Sequence, residues 1–300
     1  MSKAPMWTTA GASLAATLLF AGCTAAPSAN TDGDGATADA DASAPAPAGT
    51  SFDELVETGD GRSLAVTCWG EGDVKVLYLH GLIQPGDASS WAHAPELQER
   101  LADEAEYCEY ERTNVGESST ADGPIPFEQT VADVDAVLGA IGATDPVVLI
   151  GGSFGGLVAT TYAGLHPDRV AGMVLLDPSL AGSNALEEQY LPVEYRLTPE
   201  AWNDSTEKVD VYGADPIAET ALDTLPAVPG VVFVTSTIDL PPVNTEAFLA
   251  AIRTQQSDLA NRFSPGELVT VDTPHAMVPV IPDEIADAVA DVVAQAGLAG

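Results

Sequence analysis

The residues best suited to chemistry lie in the run Gly-Gly-Ser-Phe-Gly at positions 151–155, which follows an apolar segment and precedes an apolar helical pattern. A Gly-x-Ser-x-Gly run in this setting is typical of a sharp strand-to-helix turn that presents a serine hydroxyl. The glycines leave space for the turn and for the strained backbone of the serine. We therefore predict that Ser153 is a nucleophile.

A serine hydroxyl reacts well only when a base removes its proton, and the chain has four histidines. His80 belongs to a His-Gly pair after an early apolar strand, His93 precedes the other candidate loops, and His166 ends the helix that follows Ser153. His275 lies in a short loop between the last predicted strand and the closing helix, in the chain order serine, acid, histidine. This elimination predicts His275 as the general base.

Two aspartates at the ends of predicted strands could orient the imidazole of His275. Asp239 follows the strand predicted over residues 231–235, just before the strand that leads to the histidine, and is the preferred acid. Asp177 follows the strand predicted over residues 170–176 and is the alternative acid. In a purely structural role, the Asp177 carboxylate would cap backbone donors before Pro178.

An acyl-transfer site also needs hydrogen-bond donors for the negative oxygen that develops during attack. The backbone N–H of Phe154, directly after the nucleophile at the start of a helix, is one predicted donor. The N–H of Leu82, after His80-Gly81 at the end of an earlier strand, is the other. We expect these two amides to form an oxyanion hole, with His80 in a structural role.

The elements that would position these residues alternate between strand-like and helix-like stretches, which predicts an α/β fold with a mostly parallel sheet covered on both faces. The segment between residues 176 and 231 is richer in Glu, Pro, Tyr and Trp, so we predict a small lid at about 179–229. Strands are predicted over residues 62–69, 74–79, 107–112, 147–150, 170–176, 231–235 and 267–271, and helices over residues 127–141, 157–165, 245–263 and 283–296.

The first 50 residues are expected to lie outside this domain. Residues 1–23 combine Lys3, an apolar stretch and Ala-Gly-Cys, and so resemble a bacterial lipoprotein signal peptide, which implies export, cleavage before Cys23 and lipidation of its thiol. Residues 24–50 are Ala, Pro, Ser, Thr, Gly and Asp apart from Asn30, a composition typical of a disordered tether. Residues 51–300 remain as one domain, held outside the cytoplasm by a lipid anchor in the cell membrane or, alternatively, secreted.

The charge balance excludes one class of partner. The chain carries 10 Lys and Arg against 45 Asp and Glu, a formal net charge of -35, and such a surface repels phosphate backbones, so nucleic-acid binding is not expected. The glycine run lacks the Gly-Lys-Ser/Thr ending of a phosphate-binding loop. No metal-ligand cluster is evident in the sequence, and we expect no cofactor.

The motifs together resemble the α/β-hydrolase superfamily. That resemblance implies a sheet of about eight strands, a lid inserted after strand 6, and a serine esterase of the carboxylesterase or lipase kind (EC 3.1.1) acting on a small-molecule acyl substrate through an acyl-enzyme. Amide or peptide cleavage, a haloperoxidase-like reaction, and a non-catalytic surface lipoprotein that keeps the fold are the alternatives. The segments that carry the likeness are residues 77–81, 110–118, 147–156, 166–178, 231–239 and 274–280.

The remaining cysteines, Cys68 and Cys108, are an even pair in a chain expected to be exported, where disulfides persist. By themselves the residues leave a disulfide and two buried thiols equally open. In the fold implied by the resemblance, the strands that contain these cysteines are neighbours, which favours the disulfide.

Overall fold

An eight-stranded sheet forms the centre of the molecule. The computed structural model describes residues 49–196, 204–236 and 245–298. The strands are β1 (Thr50–Glu57), β2 (Ser63–Trp69), β3 (Lys75–Leu79), β4 (Glu106–Tyr110), β5 (Val147–Gly152), β6 (Val170–Leu176), β7 (Gly230–Thr235) and β8 (Gly266–Val271).

The strands lie in the order β1-β2-β4-β3-β5-β6-β7-β8. The pairs β1–β2 and β2–β4 are antiparallel. Every further pair in this order, from β4–β3 to β7–β8, is parallel. The central strands β3, β5, β6 and β7 are almost wholly buried, as expected of parallel strands with both faces covered. This arrangement confirms the predicted mostly parallel sheet of about eight strands.

Helices cover both faces of the sheet. The helices are α1 (Pro95–Leu101), α2 (Phe127–Ala140), α3 (Phe154–Leu165), α4 (Ser183–Tyr190), α5 (Asp215–Leu222), α6 (Thr245–Ala260) and α7 (Pro282–Gln295). Side chains of α1 and α7 form one buried cluster with one face of the sheet. Side chains of α2, α3, α5 and α6 form a second buried cluster with the other face. Apolar residues at helical spacing therefore fill both layers.

Outside the predicted lid, one strand and one α-helix of the described residues were not anticipated from the sequence. β1 buries only Val56 among its eight residues, so it carries no apolar run, and it is held by antiparallel pairing with β2. α1 is seven residues long and buries only Leu97 and Leu101. In addition, α3 begins at Phe154, directly after the serine, rather than at residue 157.

The chain between β6 and β7 is an insertion at the end of the sixth strand, where the lid was predicted. Its described part contains α4, α5 and short 3-10 turns at Val193–Tyr195 and Tyr212–Ala214, while residues 197–203 lie outside the described residues. Residues 206–210 of the insertion contact two other loops: Thr206 N–H donates to Ile83 O, and Ile125 pairs with Val209. The insertion is therefore attached to the loop after β3.

Cys68 and Cys108 form a disulfide. They face each other directly in the antiparallel register of β2 and β4, and their Cα atoms are 4.0 Å apart. The disulfide implied by the fold resemblance is therefore present.

The predicted signal peptide, Cys23 and almost all of the predicted tether fall in residues 1–48, which lie outside the described residues. None of the helices described between residues 49 and 298 is long and apolar enough to cross a membrane.

Candidate active site

Ser153 occupies the tight turn between β5 and α3. Its backbone has φ 48° and ψ -119° and directly precedes the first residue of the helix. Its N–H donates to Leu176 O at 2.9 Å, and its carbonyl oxygen accepts from Gly156 N–H and Ser179 N–H, both at 2.9 Å. A positive φ in a residue with a side chain is strained and needs such support from its neighbours. The observed turn is the one that the Gly-x-Ser-x-Gly run predicts.

The two motif glycines are required by close packing. A Cβ on Gly155 would lie 2.0 Å from Leu79 O, and a Cβ on Gly151 would lie 2.7 Å from the Cα of Gly156. By contrast, a Cβ on Gly152 would meet nothing closer than 3.5 Å. The first and last glycines of the motif therefore let α3 start against the end of β3, while the middle one is not sterically needed.

His275 is paired with Asp177. The Nδ1 atom of His275 lies 2.6 Å from Asp177 Oδ2, and the other carboxylate oxygen accepts from Thr235 N–H at 3.3 Å. Asp177 directly follows β6, and its backbone also has a positive φ of 43°. The alternative acid thus contacts the predicted base, whereas the preferred acid, Asp239, lies outside the described residues.

The loop that carries His275 is held at both ends. Thr235 Oγ1, at the end of β7, donates to Thr273 O at 2.5 Å, and Met277 is buried among the side chains of α7 and the sheet. The His275 side chain is 37% exposed and the Asp177 side chain 12%. The Nδ1 edge of the imidazole therefore lies on the carboxylate, which fixes the ring orientation that a proton-exchanging base needs.

The hydroxyl of Ser153 is shielded from solvent. Its Oγ atom makes no hydrogen bond to any residue that the structure describes. The Nε2 atom of His275 is likewise shielded from solvent. Hydrogen bonds between a nucleophile and its base often tighten only when substrate binds, so the transfer of a proton between these two atoms belongs to the proposal below.

The two predicted oxyanion donors are both buried at the turn. Gly81 lies next to Ser153, since a Cβ added to Gly81 would be 3.5 Å from the Ser153 Cβ. Leu82 is 7% exposed and Phe154 1%. Within the described ranges, neither N–H donates to a backbone carbonyl. Both amides therefore remain available to an oxygen on a bound substrate.

The other three histidines have structural surroundings. Burial and the nearby Arg112 charge hold the pKa of His80 well below its usual range. His93 lies between two glutamates: its Nδ1 is 2.9 Å from Glu109 Oε2, and its Nε2 is 3.1 Å from Glu111 Oε1. His166 stacks on Tyr162 with ring centroids 4.6 Å apart.

Arg112 and Glu207 were not singled out by sequence reasoning, yet both are fully buried beside the loop that follows β3. They pair across 95 residues of sequence. No local spacing could have indicated that contact, because the two residues come together only when the insertion folds onto the sheet.

A comparison with known protein families supports the observed fold. Residues 75–206 match the family described as alpha/beta hydrolase fold, and this range contains both β3 and the turn with Ser153. Together with the observed sheet order, this match over part of the chain shows that the chain has the α/β-hydrolase fold.

One curated relative is lipase LipV of Mycobacterium tuberculosis (strain ATCC 25618 / H37Rv), which is 35% identical over 114 residues. The match covers 37% of this chain and spans 39% of the length of that lipase. It is therefore a likeness to part of the lipase.

Solved structures share the fold more widely. The haloalkane dehalogenase DatA from Agrobacterium tumefaciens C58 has a TM-score of 0.58 at 16% identity, covering 83% of this chain and 98% of its own. An esterase from Exiguobacterium antarcticum has a TM-score of 0.56 at 16% identity, covering 81% of this chain and 100% of its own. At such identities the likeness establishes the fold, and a dehalogenase and an esterase share it, so the reaction must be argued from the site.

Proposed function

We propose that this protein is a serine hydrolase that cleaves carboxylic esters. The observation that carries the proposal is the combination of a strained serine after β5 with an Asp177–His275 pair, in which Asp177 follows the neighbouring strand β6 and His275 follows β8. Ser153 and Asp177 end adjacent parallel strands, since Ser153 N–H donates to Leu176 O. A nucleophile, a base and a group that orients the base are the parts that acyl transfer requires.

In the proposed mechanism, Ser153 Oγ attacks the carbonyl carbon of the ester while His275 Nε2 accepts the hydroxyl proton. The C–O bond of the tetrahedral intermediate then breaks, and His275 gives that proton to the departing alcohol. Water, deprotonated in turn by His275, then attacks the carbonyl carbon of the acyl-enzyme. The bond from that carbon to Ser153 Oγ breaks, His275 returns the proton to Oγ, and the acid is released.

The remaining groups stabilise charge that develops during these steps. The N–H groups of Leu82 and Phe154 would donate to the oxyanion, and the positive end of α3 adds to their field. Asp177 accepts the Nδ1–H of His275, which keeps Nε2 free of a proton before attack and stabilises the imidazolium afterwards. We therefore assign the acid role to Asp177 rather than to Asp239.

The choice of an ester over other acyl substrates rests on the curated relative, which is named a lipase. The nucleophile position holds a serine, which forms an acyl-enzyme with a carbonyl substrate. A carboxylic ester of small to medium size is therefore the proposed substrate class.

We also propose that the protein acts outside the cytoplasm, on a lipid anchor at Cys23. The disulfide between Cys68 and Cys108 supports an oxidising compartment, where such bonds persist. Metabolic labelling with an alkyne-tagged fatty acid should mark the wild-type chain but not Cys23→Ala. Equal labelling of the two chains would contradict the anchor.

The proposed activity is tested by measuring hydrolysis of p-nitrophenyl acetate, butyrate and octanoate by wild type and Ser153→Ala. We expect Ser153→Ala to lose at least about 10³-fold in kcat, because subtilisin-type triads lose about 10⁶-fold when their serine is removed. Ser179→Ala is the matched control, since it removes a hydroxyl next to the turn and leaves the nucleophile in place. Equal rates for wild type and Ser153→Ala would contradict the proposal.

A further inference from the structure

A fully buried ion pair lies behind the loop that follows β3. Arg112 Nε donates to Glu207 Oε2 at 2.5 Å, and Arg112 Nη2 donates to Glu207 Oε1 at 2.9 Å. Arg112 is 1% exposed and Glu207 is not exposed at all. Burying a pair of charges is costly unless its members are fully hydrogen-bonded, so their further contacts matter.

The contacts of this pair surround the peptide that carries the Leu82 N–H. Arg112 Nη1 donates to His80 O at 2.8 Å, and Arg112 Nη2 donates to Gly81 O at 2.7 Å. On the other side of Leu82, Glu207 Oε1 accepts from Ile83 N–H at 2.7 Å. The guanidinium and the carboxylate therefore bind the chain immediately before and after Leu82.

The contact with Gly81 O fixes a direction as well as a position. The carbonyl of Gly81 and the N–H of Leu82 belong to the same planar trans peptide, so they point in opposite directions. Because the guanidinium holds Gly81 O on its own side, the Leu82 N–H must face away from Arg112. Gly81 also lies next to the turn that holds the serine, since a Cβ on Gly81 would be 3.5 Å from the Ser153 Cβ, so an N–H that faces away from Arg112 has this turn within its surroundings.

The guanidinium is also tied to the second donor. Its central carbon lies 5.2 Å from the ring centroid of Phe154, in a cation–π arrangement. Burial would lower the pKa of Arg112, but the facing Glu207 carboxylate more than offsets this and raises it. Arg112 therefore stays charged while it contacts both segments that supply oxyanion donors.

Glu207 comes from the insertion between β6 and β7, and that region is attached to the loop after β3 by more than this one side chain. Thr206 N–H donates to Ile83 O at 3.0 Å, and Asn114 Nδ2 donates to Glu207 O at 3.1 Å. The backbone on both sides of the carboxylate is therefore held, so Glu207 is a fixed support for Arg112.

We infer that Arg112 and Glu207 are positioning residues for the oxyanion hole, and that the insertion completes the hole by supplying Glu207. This inference rests on the proposed serine hydrolase function. The pair touches no reacting atom; it sets the direction of the Leu82 N–H. Its contribution should therefore be made in the tetrahedral transition state and only weakly in substrate binding.

The test compares Glu207→Gln and Arg112→Lys with a matched control elsewhere in the molecule. Arg62 and Asp133 form another buried bidentate pair, joined at 2.7 and 2.8 Å, and neither residue contacts the loop between residues 80 and 83. Arg62→Lys thus measures what loosening a buried pair does to stability alone. Each kcat is expressed per active site titrated with a fluorophosphonate, so that only folded enzyme is counted.

We measure kcat and KM for p-nitrophenyl butyrate and the inhibition constant of an aliphatic trifluoromethyl ketone, whose serine adduct carries an oxyanion. Removing an oxyanion donor outright costs about 10²- to 10³-fold in kcat, so misdirecting one should cost about 10- to 100-fold. For Glu207→Gln and Arg112→Lys we expect that loss in kcat, a matching rise in the inhibition constant, and KM within about threefold of wild type. Arg62→Lys should leave all three constants nearly unchanged.

Two results would overturn the inference. One is wild-type kcat and ketone inhibition in both variants, and the other is an equal loss in Arg62→Lys, which would make the effect one of general stability. Failure of the proposed function would differ from both of these results, because Ser153→Ala would then hydrolyse the ester at the wild-type rate.

Discussion

The substitution Asp177→Asn tests the pairing at the centre of the site. The two oxygens of Asp177 serve two donors: Oδ2 faces His275 Nδ1 at 2.6 Å, and Oδ1 accepts from Thr235 N–H at 3.3 Å. An asparagine has one oxygen and one NH2 group for these two positions. If its oxygen keeps the Thr235 N–H, its NH2 group faces Nδ1 of His275.

The imidazole would then carry its proton on Nε2, where it cannot accept the proton of Ser153. In a serine protease triad, the corresponding change from aspartate to asparagine lowers kcat about 10⁴-fold by this effect on the tautomer. For Asp177→Asn we expect a loss of about 10³- to 10⁴-fold in kcat, which is about 4–5.5 kcal/mol in the activation barrier. KM should change little, because the carboxylate faces the histidine rather than the substrate.

The assay is the initial rate of p-nitrophenyl butyrate hydrolysis at pH 7.5 to 8, roughly one pH unit above the usual histidine pKa. Asp272→Asn is the matched control, since Asp272 accepts from Ser236 Oγ at 3.1 Å at the surface of the same region. Asp239→Asn tests the acid that the sequence alone favours. A greater loss in Asp239→Asn than in Asp177→Asn would refute the assignment of Asp177.

Three further predictions concern the scaffold. Gly155→Ala should unfold at a lower urea concentration than wild type, because its Cβ would lie 2.0 Å from a carbonyl oxygen at the end of β3. Gly152→Ala, whose Cβ would lie 3.5 Å from its nearest neighbour, should shift the urea midpoint much less. Equal shifts in the two variants would contradict the packing argument. Hydrogen bonds that His93 donates to Glu109 and Glu111 raise its pKa to about 10. The stabilisation by the charged imidazole is therefore full below the unfolded pKa of about 6.5 and is lost as pH rises toward 10. The difference in melting temperature between wild type and His93→Gln should therefore shrink from pH 7 to pH 10, and a constant difference would count against it. Replacing both Cys68 and Cys108 by alanine should lower the free energy of unfolding by about 4 kcal/mol, from loop-closure entropy over a sequence separation of 40; an unchanged urea midpoint would show that the disulfide does not stabilise the domain.

The parts of the site that sequence could predict are those set by local order. Apolar strand, glycine turn and helix follow one another within about 20 residues around Ser153, and each step has its own pattern. His275 followed from the scarcity of histidines and from its place between a strand and a helix. Both predictions needed only the chain order and the type of each residue.

The acid could not be chosen in that way, because two aspartates end neighbouring strands. Which of them faces the imidazole depends on the loop conformations. In the structure, the positive φ of Asp177 accompanies the turn of the chain after β6, and its carboxylate reaches His275 across β7. Arg112 and Glu207 were missed for a related reason, since their contact spans 95 residues and leaves no periodic signal. β1 was missed because an exposed edge strand has no apolar run.

The central claim, that Ser153 is the nucleophile and needs His275, is tested most directly by labelling with a fluorophosphonate and mapping the adduct by peptide mass spectrometry. Wild type should carry a single adduct on Ser153, while His275→Ala should react at least about 10²-fold more slowly, since removing a general base costs about that much. An adduct on another residue of the folded protein, or labelling of Ser153→Ala at the wild-type rate, would contradict the account.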